Sequence, residues 1–519
     1  MAPLRVVLAL LLAARLVAAN LLLAYSIERH GARNVLPKTA TLKESDAAGG
    51  PTLLPEGQLQ AWKAGAAYAA RYLNASTCAT DDTCLDLKAA ANSPGPEYGV
   101  VGTADGTWNN FNTLFRSSAL DRTIMTARSF LDAVFPPMNV PTTSQYLPDG
   151  QQVVPVYSLP EDGNTLTRAY TACPTYDTRL LNWYQSDEFK AKEADSAPLR
   201  DSIAANVSGL NTSLTNWWNV YDGFNVYRIY GVGTPMPDVD NQTFAQMQEL
   251  AYWLETSKMH SSLTGNLLAG PLLADLLSYL EAAATAATSN VVDPVYYKVV
   301  HLSGHYDTQL GILGAIALNQ LPAAANFTWF KKIPSLAAIM VFELHASGSD
   351  GVPQSLAVRL VMQDGPSANY TTIPLPCASA GDGAEALAGP GACTLEAFTQ
   401  MVQPLAMNTS QWCDACANTG MTMCQLKTTA KALEVANATL AANGLAADGQ
   451  SASAGAASSG SGDSGLSDGA WAGILVGCIA AVSALFGVAF VAYRRRMTKE
   501  LEQARLGGMQ AVAALPGTV

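Results

Sequence analysis

Leu21 to Ile27 is a short apolar run, with the length and composition of a central buried strand. It ends in the polar stretch Glu28-Arg29-His30-Gly31-Ala32-Arg33. Further on, Pro55 to Leu73 places Leu59, Trp62, Ala66, Ala69 and Leu73 at spacings of three and four. That spacing predicts a helix with this face turned to a core. Trp108 to Pro137 reads as a strand ending near Arg116, then a helix with Leu120, Ile124, Ala127, Leu131 and Val134 as its stripe. Ser118 and Asp121 stand at capping-box spacing, and Pro136-Pro137 stops the helix. Pro294 to Leu318 is another strand, a small-residue turn and a helix. Leu336–Ala346 and Ser355–Gln363 read as a hairpin around Gly348 to Gly351. The expected fold is therefore α/β: a mostly parallel sheet with helices on both faces. A less regular, mostly helical subdomain lies within about 140–280.

The ends of the chain carry a different pattern. Residues 1–19 have the basic start, apolar centre and small-residue close of a secretory signal. Residues 441–470 are rich in Gly, Ser and Ala, the composition of a flexible stalk. Trp471 to Tyr493 holds no charged residue and is long enough to span a bilayer; Arg494-Arg495-Arg496 follows it. These features predict a type I single-pass membrane protein. Its ectodomain (20–440) would be lumenal or extracellular and its tail (494–519) cytoplasmic. The tail carries no sorting signal that separates a lysosomal or endosomal location from the cell surface.

Composition narrows the chemistry. The formal charge of −12 and the lack of a basic stripe exclude nucleic acid as a partner. Eight of the nine cysteines lie outside the apolar span, an even number that suits disulfides in an oxidising compartment. Cys413-Asp414-Ala415-Cys416 is the one metal-like spacing, but no compact histidine set or second pair of that kind supports zinc. Eight Asn-x-Ser/Thr sites fit a glycosylated exterior.

The candidate site comes from three predicted strand ends: Arg29, His30 and Arg33; Arg116; and His305 with Asp307. In open α/β sheets, ligands bind beyond the carboxyl ends of the strands. Guanidiniums gathered there repel one another unless an anion joins them, and their planar forks match phosphate oxygens. A neutral imidazole is a nucleophile that can carry a covalent intermediate. His30 is thus the candidate phosphoryl acceptor, and the arginines and His305 stabilise the transferring oxygens. Asp307 is the candidate proton donor to the leaving oxygen, which predicts better activity in acid. Tyr306 is read as packing or pocket lining, and His301 and His345 as structural.

Taken together, these segments resemble the histidine acid phosphatases, the branch of the histidine phosphatase superfamily that includes the lysosomal and prostatic enzymes. "RHGAR" matches the RHGxR signature. Gly57–Gly65 resembles its G-x-x-Q-x-x-x-x-G helix, and Phe115–Pro137 its R-S-T/S-x-x-x-R-T segment. Ala172–Tyr176 resembles the CP-x-[FY] element, and Leu267–Leu277 the stretch before the last catalytic strand. The resemblance runs from about Leu21 to Trp412. It implies a phosphate monoesterase with a phosphohistidine intermediate, with His30 as nucleophile and Arg29, Arg33, Arg116 and His305 on phosphate. It implies no metal or organic cofactor, a Cys377–Cys393 disulfide, and leaves a homodimer open. Two departures stand out. The proline after the second arginine comes late, at Pro37, and Tyr306 separates His305 from Asp307. The second offset is that of the His-Ala-Glu inositol-polyphosphate phosphatases. Inositol-polyphosphate or lysophospholipid-phosphate hydrolysis, and a non-catalytic ectodomain, are therefore the alternatives.

Overall fold

Alternation along the strands explains how the sheet is built. In β1 (Ala19–Arg29), Leu23, Tyr25 and Ile27 enter one core and Leu21 and Ala24 the other. Strand β4 (Val299–Gly304) does the same with Val300 and Leu302 against Val299. Both faces are buried, so the strands read as nearly continuous apolar runs. The computed structural model describes residues 19–43, 50–78, 83–85, 87, 108–137, 147–289, 295–317, 332–347 and 355–442. The signal-like start, stalk, apolar span and tail lie outside these. Among the described residues no helix is long and apolar enough to cross a membrane.

The sheet order is β3-β2-β4-β1-β5-β6-β7. It includes β2 (Thr113–Ser118), β3 (Tyr157–Leu159), β5 (Ile339–Ser347), β6 (Leu356–Gln363) and β7 (Tyr370–Ile373). Strands β3, β2, β4 and β1 pair in parallel, whereas β5, β6 and β7 join them antiparallel. The expected mostly parallel sheet is therefore mixed. The hairpin β5–β6 has no room for a crossover helix, so its strands must run antiparallel.

Helix α1 (Pro55–Tyr72) does not bury the predicted face. Leu59 and Trp62 are 52% and 46% exposed, while Gly57, Ala61, Ala64, Gly65, Tyr68 and Tyr72 are buried. Close backbone approach decides this. A Cβ at Gly57 would stand 2.2 Å from the Ala32 carbonyl oxygen, and one at Gly65 would stand 2.3 Å from that of Phe130. The small face is the only one that fits. Helix α2 (Asp121–Val134) keeps Ala127, Leu131 and Val134 of its predicted stripe buried. Its N-cap residue is Leu120, with no side-chain cap, so Ser118 has another task.

The helical stretch includes α3 (Trp217–Tyr230), α4 (Asn241–Lys258) and α5 (Gly270–Thr288), and α6 (Tyr306–Ala315) follows β4 directly. Cys377–Cys393 is a disulfide, as expected; the others are Cys78–Cys84, Cys173–Cys416 and Cys413–Cys424. Cys413 and Cys416 are thus committed to different disulfides.

Candidate active site

The loop after β1 is fixed by its glycine. A Cβ on Gly31 would stand 2.2 Å from the Gly57 carbonyl oxygen. The Gly31 N–H donates to Thr126 Oγ1 at 3.1 Å, and the Ala32 N–H to Gln60 Oε1 at 2.9 Å. Helices α1 and α2 therefore clamp the loop on both sides. The His30 ring ends 5.7 Å, centroid to centroid, from that of His305.

His30 is 3% exposed, and its Nδ1 lies 2.9 Å from the Gly31 carbonyl oxygen. A carbonyl only accepts, so Nδ1 carries the proton and Nε2 the lone pair. Burial first, then the charges of Arg122, Arg33 and Arg29, hold the imidazole well below its ordinary pKa. Both causes favour the neutral imidazole.

His305, at the end of β4, is oriented by a hydroxyl chain. Thr123 Oγ1 donates to the carbonyls of Ser118 and Leu120 at 2.9 and 2.8 Å. It must then accept from Ser118 Oγ at 2.8 Å, and Ser118 Oγ accepts from His305 Nε2–H at 3.0 Å. Burial, with Arg122, Arg168, His30 and Lys38 around it, also lowers the His305 pKa. A bound dianion would offset those cations.

Arg29 donates to the Pro334 carbonyl, and its guanidinium lies 5.1 Å from the centre of the Tyr306 ring. Arg33 pairs with Asp222 at 2.9 Å, and the same carboxylate accepts from the Leu36 N–H at 3.2 Å. The Nε–H groups of Arg29 and Arg33 are buried without a hydrogen-bond partner among the described residues. Such donors are costly unless a ligand satisfies them.

Two expected residues are held in ion pairs. Arg116 forks onto Asp275 at 2.9 and 2.6 Å, and Tyr25 Oη donates to the same carboxylate at 2.6 Å. Arg116 stands two positions before the end of β2, about 6.6 Å back along the strand at ordinary rise. The third arginine acting on both histidines is Arg122, 0% exposed in the first turn of α2. The second arginine of the R-S-S-A-L-D-R segment was the signal for it. Asp307 is 2% exposed and bonds Lys38 Nζ at 2.8 Å, while Tyr306 rather than Asp307 lies against Arg29. Asp222 and Lys38 also went unread, because their partners come from distant elements.

A cavity of ≈ 400 Å³ opens over Arg29 and Arg33, walled by Trp218, Tyr221, Asp222 and Tyr252. Its second carboxylate, Asp364, pairs with Lys332 at 2.5 Å. Among the described residues no cluster of three or more His, Cys, Asp or Glu could hold a metal ion.

Among curated proteins, the chain is 26% identical to the lysosomal acid phosphatase of Rattus norvegicus over 298 residues, 56% of this chain and 61% of that one. It is 26% identical to the prostatic acid phosphatase of Homo sapiens over 213 residues, 39% of this chain and 51% of that one. The match thus spans about half to three fifths of these relatives. Similar solved structures include the apo phytase of Hafnia alvei, with TM-score 0.45 and 13% identity over 77% of this chain and 98% of that one. A Bifidobacterium longum multiple inositol polyphosphate phosphatase complex with phosphate gives TM-score 0.43 and 11% identity, over 76% and 94%. The model of the histidine phosphatase superfamily, branch 2, matches residues 38–363, beginning just after the His30 loop. With most of the described sheet inside that match, the chain belongs to the histidine phosphatase superfamily, branch 2.

Proposed function

We propose that the chain is a phosphomonoesterase working through a phosphohistidine on His30. The observation that carries this reading is the neutral Nε2 of His30, set among Arg29, Arg33 and Arg122. Nε2 attacks phosphorus, the P–N bond forms, and the ester P–O bond breaks with its electron pair going to the leaving oxygen. Water then attacks the phosphoryl group and breaks the P–N bond. The net products are the alcohol and inorganic phosphate. The buried guanidinium N–H groups meet the equatorial oxygens, where water is largely excluded and electrostatic stabilisation is strongest.

The depressed pKa of His30 supports activity in acid, since the nucleophile stays unprotonated well below the usual histidine range. Four disulfides fit an oxidising compartment, the lumenal or extracellular side expected from the sequence. The cavity favours a single phosphate over an inositol polyphosphate. Among its described lining residues the only cations are Arg29 and Arg33, and Arg33 is already paired with Asp222.

The test is acid quenching during turnover of a phosphorus-labelled ester. Label should appear on His30 and vanish in His30→Ala together with hydrolysis. Hydrolysis that survives His30→Ala would refute the mechanism. No hydrolysis of any ester by the wild-type chain would favour a non-catalytic ectodomain.

A further inference from the structure

The two departures noted in the sequence meet in space. Lys38 directly follows the late Pro37, and its ammonium donates to both Tyr306 Oη, at 2.9 Å, and Asp307 Oδ2, at 2.8 Å. The position is built rather than incidental. The Lys38 N–H donates to Asn219 Oδ1 at 2.8 Å, and Asn219 Nδ2 returns a bond to the Lys38 carbonyl at 2.7 Å. The ammonium sits 4.4 Å from the Tyr306 ring centre and 6.0 Å from that of Trp218, a cavity wall. Tyr306 Oη donates to Glu255 Oε2 at 2.6 Å, and Glu255 pairs with Lys258 at 2.5 Å. The groups facing Lys38 are therefore His305, Tyr306 and Asp307 from the β4–α6 turn and Glu255 from α4. Two lysines balance two carboxylates, all nearly inaccessible.

We propose that Lys38 is a positioning residue that holds Asp307 as a carboxylate, so that the leaving oxygen departs without a proton from Asp307 and the enzyme favours phosphate esters of phenol-like alcohols. An opposite charge at hydrogen-bond distance favours the ionised carboxyl. An ionised carboxyl cannot act as an acid. The two carboxylates that line the cavity are also ion-paired, Asp222 with Arg33 and Asp364 with Lys332. A phenol leaves as a weak base, near pKa 10 for a tyrosine-like ring, and needs little protonation. The tyrosine and tryptophan wall offers such a ring a packing surface.

This inference rests on the phosphomonoesterase reading. That reading is checked first, by His30-dependent hydrolysis of 4-nitrophenyl phosphate with the wild-type chain. The experiment then compares kcat/KM for 4-nitrophenyl phosphate, phenyl phosphate and glycerol phosphate between pH 4 and 7.5. The ratio of aryl to alkyl rates is the readout, and it does not depend on the folded fraction. Asp307→Asn should change aryl and alkyl rates by factors within about threefold of each other. Lys38→Met, which frees Asp307 to take a proton, should raise the alkyl-to-aryl ratio about tenfold or more, most strongly in acid. Lys38→Arg should restore the wild-type ratio. A loss on glycerol phosphate in Asp307→Asn about 100-fold greater than on 4-nitrophenyl phosphate, the size of a lost general acid, would overturn the proposal. An unchanged ratio in folded Lys38→Met would also overturn it. Should Lys38→Met not fold, Asp307→Asn decides alone.

Discussion

Among the described residues two buried clusters gather arginine and histidine side chains, and only one of them has a carboxylate at its centre. Around Glu343, at 0% exposure on β5, Arg71 donates at 2.9 and 3.1 Å, Tyr72 at 2.7 Å and Arg359 at 2.5 Å; His345 lies at 3.1 Å. Burial pushes the Glu343 carboxyl up, but His345, Arg71 and Arg359 outweigh it and hold it far below the carboxylate range. Around His30, Arg29, Arg33 and Arg122 surround a neutral imidazole instead. Among the described residues no carboxylate forms an ion pair with Arg29. The difference teaches how a cationic cluster becomes a binding site. Where a carboxylate completes the cluster, it is a structural joint; where none does, a dianionic ligand is the natural completion. Arg116 with Asp275 is a smaller copy of the first kind, which is why it holds strand to helix.

The sharpest way to break this contrast is His30→Ala. It should lower kcat for an aryl phosphate at least about 10³-fold, in the range seen when a nucleophile is removed, with the thermal midpoint nearly unchanged. Glu343→Gln should do the reverse. Leaving two arginines without their carboxylate should cost about 3–5 kcal/mol of stability, read by urea unfolding, while residual folded protein keeps its KM. Equal damage to activity and stability in both variants would abolish the distinction.

A third cluster sharpens it by holding no net charge at all. His301 Nδ1 lies 2.9 Å from Ser26 Oγ and its Nε2 lies 3.1 Å from Glu28 Oε2. Burial pushes His301 down to about 3 and raises the Glu28 carboxyl well above its usual range. The acid therefore donates to a neutral ring. A histidine with a depressed folded pKa contributes stability that is present above its unfolded value of about 6.5 and lost as pH falls toward 3. Glu28, with a raised pKa, acts oppositely: its contribution is present below about 4.5 and lost as pH rises. His301→Gln should therefore flatten the acid side of the stability profile, by about 2 kcal/mol at pH 5 relative to pH 7. Urea midpoints at several pH values would read this, and an unchanged slope would mean that His301 is solvated.

The smallest expected effect is at the border between the two kinds of cluster. Asp222 half-completes Arg33, so Asp222→Asn should raise KM for an aryl phosphate about tenfold, the scale of one charge-assisted hydrogen bond, with kcat changed less. A larger fall in kcat than rise in KM would place Asp222 in the chemistry.

The chain's own pattern carried a good deal of this. The apolar run Leu21–Ile27 and the strand–turn–helix at His305 both reflect local periodicity, which depends on neighbours in sequence. The RHGAR loop was legible because glycine in that setting answers a steric demand, here the Gly57 carbonyl. The exposed face of α1 was misread for the matching reason. Leu59 and Trp62 look like a core face by hydropathy, but the close approaches of Gly57 and Gly65 decide which face packs. Two arginines six residues apart could not be ranked by spacing, because only the end of β2 determines which of them reaches the histidines.

The sequence by itself determined the strand-end placement of His30 and His305, which follows from contacts between near neighbours and from a short motif with a steric demand. The family and the Cys377–Cys393 pair came from its resemblance to known proteins. Only the tertiary structure decided that Asp275 holds Arg116, that Asp222 holds Arg33, and that Lys38 holds Asp307. Those are ion pairs between residues as many as 269 positions apart, and which charge meets which is set by the packing of whole elements.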